Sequence, residues 1–149
     1  MWSRPVGMAI GLTVALGGCG GGKAPLPAAC VASRATLEHA LAAAPDPVRL
    51  PGGTPISTCV ERTDDSSIQV VGTVLSVTAD HLAARAVADP AIALDLGYLV
   101  GAVRRGAART NGLAGQLQQR IEAAAALRGA GPGPLAALHR GIGAGQSSG

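Results

Sequence analysis

The sequence predicts a mainly α fold: a small antiparallel helical bundle, preceded by an N-terminal signal helix and a flexible tether and followed by a disordered C-terminal tail. Three observations predict it. Apolar residues recur at spacings of three and four over three successive stretches, which places them on one face of a helix. Proline and glycine punctuate the chain between those stretches. The sequence has no Phe, and Trp2 and Tyr98 are its only large aromatics, so the core must be built from Ala, Val, Leu and Ile. Small side chains of that kind suit closely approaching helices better than a thick β-sandwich.

The elements follow in order. Ser33 or Thr36 can cap a short helix running to Ala44, with Leu37, Ala40, Leu41 and Ala44 on one face. Pro45 and Pro47 end it. Val48 to Ile56 is irregular or briefly extended, with a turn at Gly52-Gly53. Thr54-Pro55 then opens a short helix that carries Cys59 to Arg62. Asp64 to Ser67 offers several caps for the first long helix, expected near residues 66–88. Its stripe is Ile68, Val71, Val74, Leu75, Leu82 and Ala86. The β-branched Val70, Val71, Val74 and Val77 leave a strand as competitor for its first half, but the run is long and lacks internal turns. Asp89-Pro90 is a cap followed by proline at the first helical position. It starts a second long helix, expected near 90–109, with the stripe Ile92, Leu96, Leu99, Val103 and Ala107. Thr110-Asn111-Gly112 breaks it. Leu113, Leu117, Ile121, Ala124 and Leu127 form the last stripe, near 112–128. Residues 129–149 are Gly-rich and expected to be disordered, apart from a turn of helix at Leu135 to His139.

The first 18 residues have a different character. Arg4 supplies a positive start, Val6 to Leu16 is apolar apart from Gly7, Gly11 and Thr13, and the small residues Gly17 and Gly18 follow. That is the layout of a secretory signal. The apolar run is well short of the ~20 residues that a membrane-spanning helix needs. Its ending, Leu16-Gly17-Gly18-Cys19, resembles the lipobox of bacterial lipoproteins. The resemblance covers only the signal. It implies a diacylglyceryl group on the Cys19 thiol, a cut between Gly18 and Cys19, and a membrane anchored through that lipid on the extracytoplasmic side of the cell envelope. Gly20 follows the cysteine, so an Asp at that place, the inner-membrane retention signal of some two-membrane bacteria, is absent. Residues 1–18 are then the signal peptide, 19–29 a lipidated tether rich in Gly and Pro, 30–128 the helical domain and 129–149 the tail.

With Cys19 carrying lipid, Cys30 and Cys59 remain. In an oxidising compartment such an even pair is expected to form a disulfide. No Cys-x-x-Cys occurs, and His39, His81 and His139 have no ligand spacing, so no metal site is expected.

Charge is uneven. From Cys30 to Asp95 four arginines face eight acids, a net −4, and from Leu96 onward six arginines face Glu122 alone, a net +5. Pairing between oppositely charged helices is the expected use of this asymmetry. Orientation at an anionic surface is the other. Ala93, Gly97 and Gly101 stand four apart and form a small-residue face. Packing of another helix of the same chain is the first expectation there. Together with Arg104, Arg105 and Arg109 it is also a candidate face for a second protein.

Catalytic signatures are missing. There is no Gly-x-Ser-x-Gly and no phosphate loop followed by a helix. Asp80 and His81 are adjacent, which on a helix points them apart. Asp64-Asp65 reads as capping. Nucleic-acid and sugar binding lack stacking aromatics. No catalytic residue and no cofactor is assigned. The expected role is a non-catalytic module that binds an envelope protein or steadies an assembly. A carrier of a small apolar ligand and an enzyme with an unrecognised site remain the alternatives.

Overall fold

The computed structural model describes residues 24–149. They form six helices: α1 (Arg34–Leu41), α2 (Ile56–Glu61), α3 (Ile68–Ala86), α4 (Pro90–Ala107), α5 (Gly115–Ala124) and α6 (Pro132–Ser148). Short 3-10 turns lie at Ala28–Val31 and Pro51–Gly53. Among the described residues no strand forms, and Leu50 and Thr54 make one isolated bridge. The Val-rich segment is helical throughout. Of its β-branched valines, Val71 is buried in the core while Val70 and Val77 stay exposed.

The caps act locally as the residue types dictate. Ser33 accepts the amide of Thr36 at 3.2 Å, and Asp89 accepts that of Ala91 at 2.8 Å. Asp64 accepts the amides of Ser66 and Ser67, closing the turn that precedes α3 rather than capping the helix itself. The break after α4 takes a left-handed Asn111 (φ 51°) and Gly112 (φ 93°). It runs longer than expected, so α5 begins at Gly115.

Helix α4 is the centre and touches all five other helices. Every residue from Leu96 to Val103 is buried, so it has no solvent face there. Tyr98, fully buried, is the only large aromatic of this core. Its hydroxyl accepts the Val48 amide at 2.9 Å and pairs with Ser148 Oγ at 3.1 Å.

The tail expectation is overturned. Residues 132–148 form α6, which buries Ala137, Leu138, Gly141 and Gly145. Composition misled because glycine disfavours an isolated helix by about 1 kcal/mol per residue. Here the glycines are what admits α6 to α4. A Cβ on Gly97 would collide with the Leu138 carbonyl, and one on Gly101 with that of Ile142. Reciprocally, a Cβ on Gly141 would strike the Leu94 carbonyl, and one on Gly145 that of Tyr98. Contacts advance together along both helices, so α4 and α6 run parallel, which adds a parallel pair to the bundle. On another side of α4, Gly106 lets the backbone of α2 approach at Ser57.

The tether also ends sooner than expected. Leu26 and Ala29 already pack against the core, and the turn at Ala28–Val31 places Cys30 inside it. Cys19 and the Gly18–Cys19 junction lie outside the described residues.

Two glycines of α6 separate close packing from helix propensity. Gly141→Ala should destabilise the domain by about 2 kcal/mol or more in urea denaturation, because its methyl meets backbone that cannot move aside. Gly143→Ala, with open space at its Cβ, should stabilise by about 0.5–1 kcal/mol. Equal effects at both positions would show that the seam is loose.

Candidate functional site

The proposed face of Ala93, Gly97 and Gly101 is not free for a second protein, because α6 of the same chain covers it. Its arginines are likewise engaged. Arg104 donates to Glu122 at 2.6 Å, joining α4 to α5. Gln118 donates to the same carboxylate oxygen at 2.9 Å. The Arg104 hydrogen bond, opposed in part by burial, holds the Glu122 carboxyl below its usual range. Arg105 donates to the carbonyls of Gln146 and Ser147 near the end of α6. Arg109 reaches Glu61, the last residue of α2, at 3.0 Å. A contact face that looked complete in sequence is therefore internal structure. The signal that would have found its cover is the second small-residue series, Ala137, Gly141 and Gly145, at the same spacing of four.

Cys30 and Cys59 form the expected disulfide, with Cα atoms 5.2 Å apart. Both are buried, so the bond joins the 3-10 turn to α2 within the core. Closing a loop of this length stabilises by about 3–4 kcal/mol in the chain-entropy account.

Asp80 and His81 point to different neighbours. Asp80 faces Arg120 of α5 at 3.7 Å, while the His81 ring turns to Glu38 of α1 at 2.7 Å. Glu38 is the hub of a cluster that the sequence reading did not single out. Arg34 donates to it at 2.7 Å, and Arg85 approaches its other oxygen at 3.5 Å. Burial pushes the Glu38 carboxyl up, but the hydrogen bonds from Arg34 and His81 outweigh this and leave it below the usual range. The spacing of Arg34 and Glu38, four apart, was readable. The arrival of His81 and Arg85 from α3 was not, since it depends on how two helices dock.

An open groove of about 690 Å³ runs between α3 and α5. Ile68, Gln69, Thr73, Val77, Leu113 and Arg120 line it, a mixture of short polar and apolar side chains. Gly72 and Leu117 also line it, and a Cβ on Gly72 would lie 3.6 Å from Leu117 Cδ1, an ordinary contact. A smaller hollow of about 410 Å³ lies between α1 and the Pro47–Pro51 segment, lined by Thr36, His39, Ala40 and Arg49 among others. Among the described residues no group of three or more His, Cys, Asp or Glu side chains is placed to hold a metal ion. No helix of the described residues is long and apolar enough to cross a membrane. Comparison with known protein families, with curated proteins and with solved structures gives no match.

Asp95 on α4 is the most perturbed acid of the interior side. Burial pushes its carboxyl up to about 6, Asp89 adds to the rise and Arg85 opposes it. The folded state therefore holds a proton that the unfolded chain has lost between about pH 4 and 6. Stability should fall as pH rises through that window. Asp95→Asn should remove the fall and stabilise the domain at pH 7 by about 1 kcal/mol, allowing for solvent screening of a half-buried group. Parallel stability–pH curves for the two proteins would refute this account of Asp95.

Proposed function

We propose that this chain is an exported lipoprotein of the cell envelope, held to a membrane through Cys19, whose helical domain acts by binding another envelope protein without catalysis. The observation that carries the anchoring half is the cysteine pattern. Cys30 and Cys59 are bonded to each other, so the one further cysteine in the sequence is Cys19, at the end of the lipobox-like Leu16-Gly17-Gly18-Cys19. A buried disulfide also fits a domain that folds in an oxidising compartment.

The binding half is supported by what the ionisable side chains do. Glu38, Asp80 and Glu122 each reach an arginine on another helix, and Glu61 reaches Arg109 just past the end of α4. They tie the bundle together instead of converging on a cavity as a catalytic set would. The α3–α5 groove is open and only half apolar, and a small apolar ligand is better held in an enclosed apolar cavity. Such a groove is better suited to a segment of another protein. A lipid anchor would raise the effective concentration of the domain for neighbours on the same membrane.

Intact mass of the membrane-extracted protein should give a chain that starts at Cys19 and carries diacylglyceryl there. Cys19→Ala should leave the signal uncut and the protein without lipid. A chain retaining Met1 and no lipid in the wild type would sink the anchoring reading. Photocrosslinking from Val77 in native membranes should capture one defined partner, and Thr73→Trp, which fills the groove, should abolish that capture while thermal unfolding is unchanged. A turnover by the purified domain that a single ionisable substitution removes would overturn the binding reading.

A further inference from the structure

The cluster between α1 and α3 contains a geometry that one protonation state cannot satisfy. Arg34 Nη1 lies 2.7 Å from His81 Nδ1, and the same Nδ1 lies 2.7 Å from Glu38 Oε1. Arg34 Nη1 is also 2.7 Å from that Glu38 oxygen. A guanidinium only donates and a carboxylate only accepts. The ring nitrogen must therefore accept to satisfy Arg34 and donate to satisfy Glu38. With one lone pair or one proton at Nδ1, it does one or the other.

We propose that His81 is a proton-operated exchanger at the α1–α3 junction, accepting from Arg34 when neutral and donating to Glu38 when protonated, so that acid releases the Arg34 guanidinium from the ring. In the neutral form Glu38 is already supplied by Arg34 and flanked by Arg85, so the lone pair at Nδ1 is best used by Arg34 and the ring proton sits on Nε2. Protonation places a hydrogen on Nδ1. The imidazolium then bonds to Glu38, and its charge repels the guanidinium beside it. Either form joins α1 to α3, so the helices stay docked while the bonding partner changes. What acid alters is the surface. Arg34 is 40% exposed, and with its link to the ring broken it becomes available to an anionic group of a partner.

The other charged groups are accounted for. Arg85 lies one helical turn beyond His81 and shares Glu38. Asp95 of α4 acts on Arg85 and belongs to the same electrostatic neighbourhood. Asp80, next to His81 in sequence, is directed to Arg120 of α5. Asp95 also takes up a proton as the pH falls to about 6, so the two events have to be separated by experiment.

Nitrogen-15 NMR of the His81 ring and hydrogen exchange at the Arg34 guanidinium test the exchanger at pH 8 and pH 5. At pH 8 Nδ1 should carry no proton and Nε2 should carry one. At pH 5 Nδ1 should be protonated and bonded to Glu38, and protection of the Arg34 guanidinium protons should drop about fivefold, the worth of one exposed charged hydrogen bond. His81→Gln, whose amide both donates and accepts, should remove the pH response of Arg34. Asp95→Asn should preserve it. A proton on Nδ1 at both pH values, or the same Arg34 response in wild type and His81→Gln, would overturn the proposal, as would loss of the response in Asp95→Asn.

Discussion

The close approach of the α4 and α6 backbones is the constraint on which the rest of the fold depends. A sequence without Phe cannot fill a wide space between helices with rings, and its Ala, Val and Leu side chains reach only a short way. Removing side chains at Gly97, Gly101, Gly141 and Gly145 narrows the space instead. Dispersion between backbone atoms and weak Cα–H to carbonyl contacts then replace the contacts that large side chains would have made. Glycines in a helix are unfavourable in isolation, so α6 is a helix only while α4 lies against it. The same device recurs at Gly106, where α2 comes close to α4 through Ser57. Because α4 gives up its glycine faces to two neighbours, it is buried along its middle and fixes where the other helices go.

Such a seam leaves the end of α6 to be held by polar groups. The last carbonyls of a helix have no partner within it. Here Arg49 donates to the Ser148 carbonyl and Arg105 to those of Gln146 and Ser147, which also sets cations at the negative end of the helix dipole. Ser57 donates to the Gly149 carbonyl at 2.5 Å. Tyr98, whose hydroxyl meets both Ser148 and the Val48 amide, ties the same end to the irregular segment after α1. The buried disulfide ties α2, which carries Ser57, to the turn before α1. These few directional bonds orient a packing surface that would otherwise slide, since a row of glycines offers little to fix a register.

What the sequence disclosed follows from the range of the physics involved. Periodicity and capping are local, so the helices around residues 68–86 and 90–107 were legible from Ile68 to Ala86 and from Asp89-Pro90 onward, as was the cap at Ser33. The cysteine pair was legible by counting. The helix at Pro132–Ser148 was not, because its stability comes from a partner distant in sequence and its own composition points to disorder. Ala93, Gly97 and Gly101 were recognised as a face for close packing, yet what covers it lay in the segment dismissed as a tail. Arg104, Arg105 and Arg109 read in sequence as a gathered charge, and each has its own partner on α5, α6 or α2. The groove between α3 and α5 depends on how residues far apart in sequence, such as Gly72 and Leu117, come together, a relation that no local pattern contains.

The charge asymmetry of the chain now has a structural use, and that use bears on where the proposed partner would be recognised. Arg109–Glu61 and Arg120–Asp80 join the basic second half to the acidic first half. Exposed pairs of this kind contribute little to stability singly, but they neutralise the helix faces that carry them. The α3–α5 groove contains Arg120, whose charge is already shared with Asp80. Recognition there would therefore rest on shape and short-range contacts with Ile68, Thr73, Val77 and Leu113 more than on long-range steering. The Glu38 cluster is different in kind. Arg34, His81 and Arg85 surround a single carboxylate, so their charges are not fully matched, and protonation of the ring widens the mismatch. Under the proposed binding role, the groove would select a partner by its form, and the cluster would make the strength of an anionic contact depend on pH.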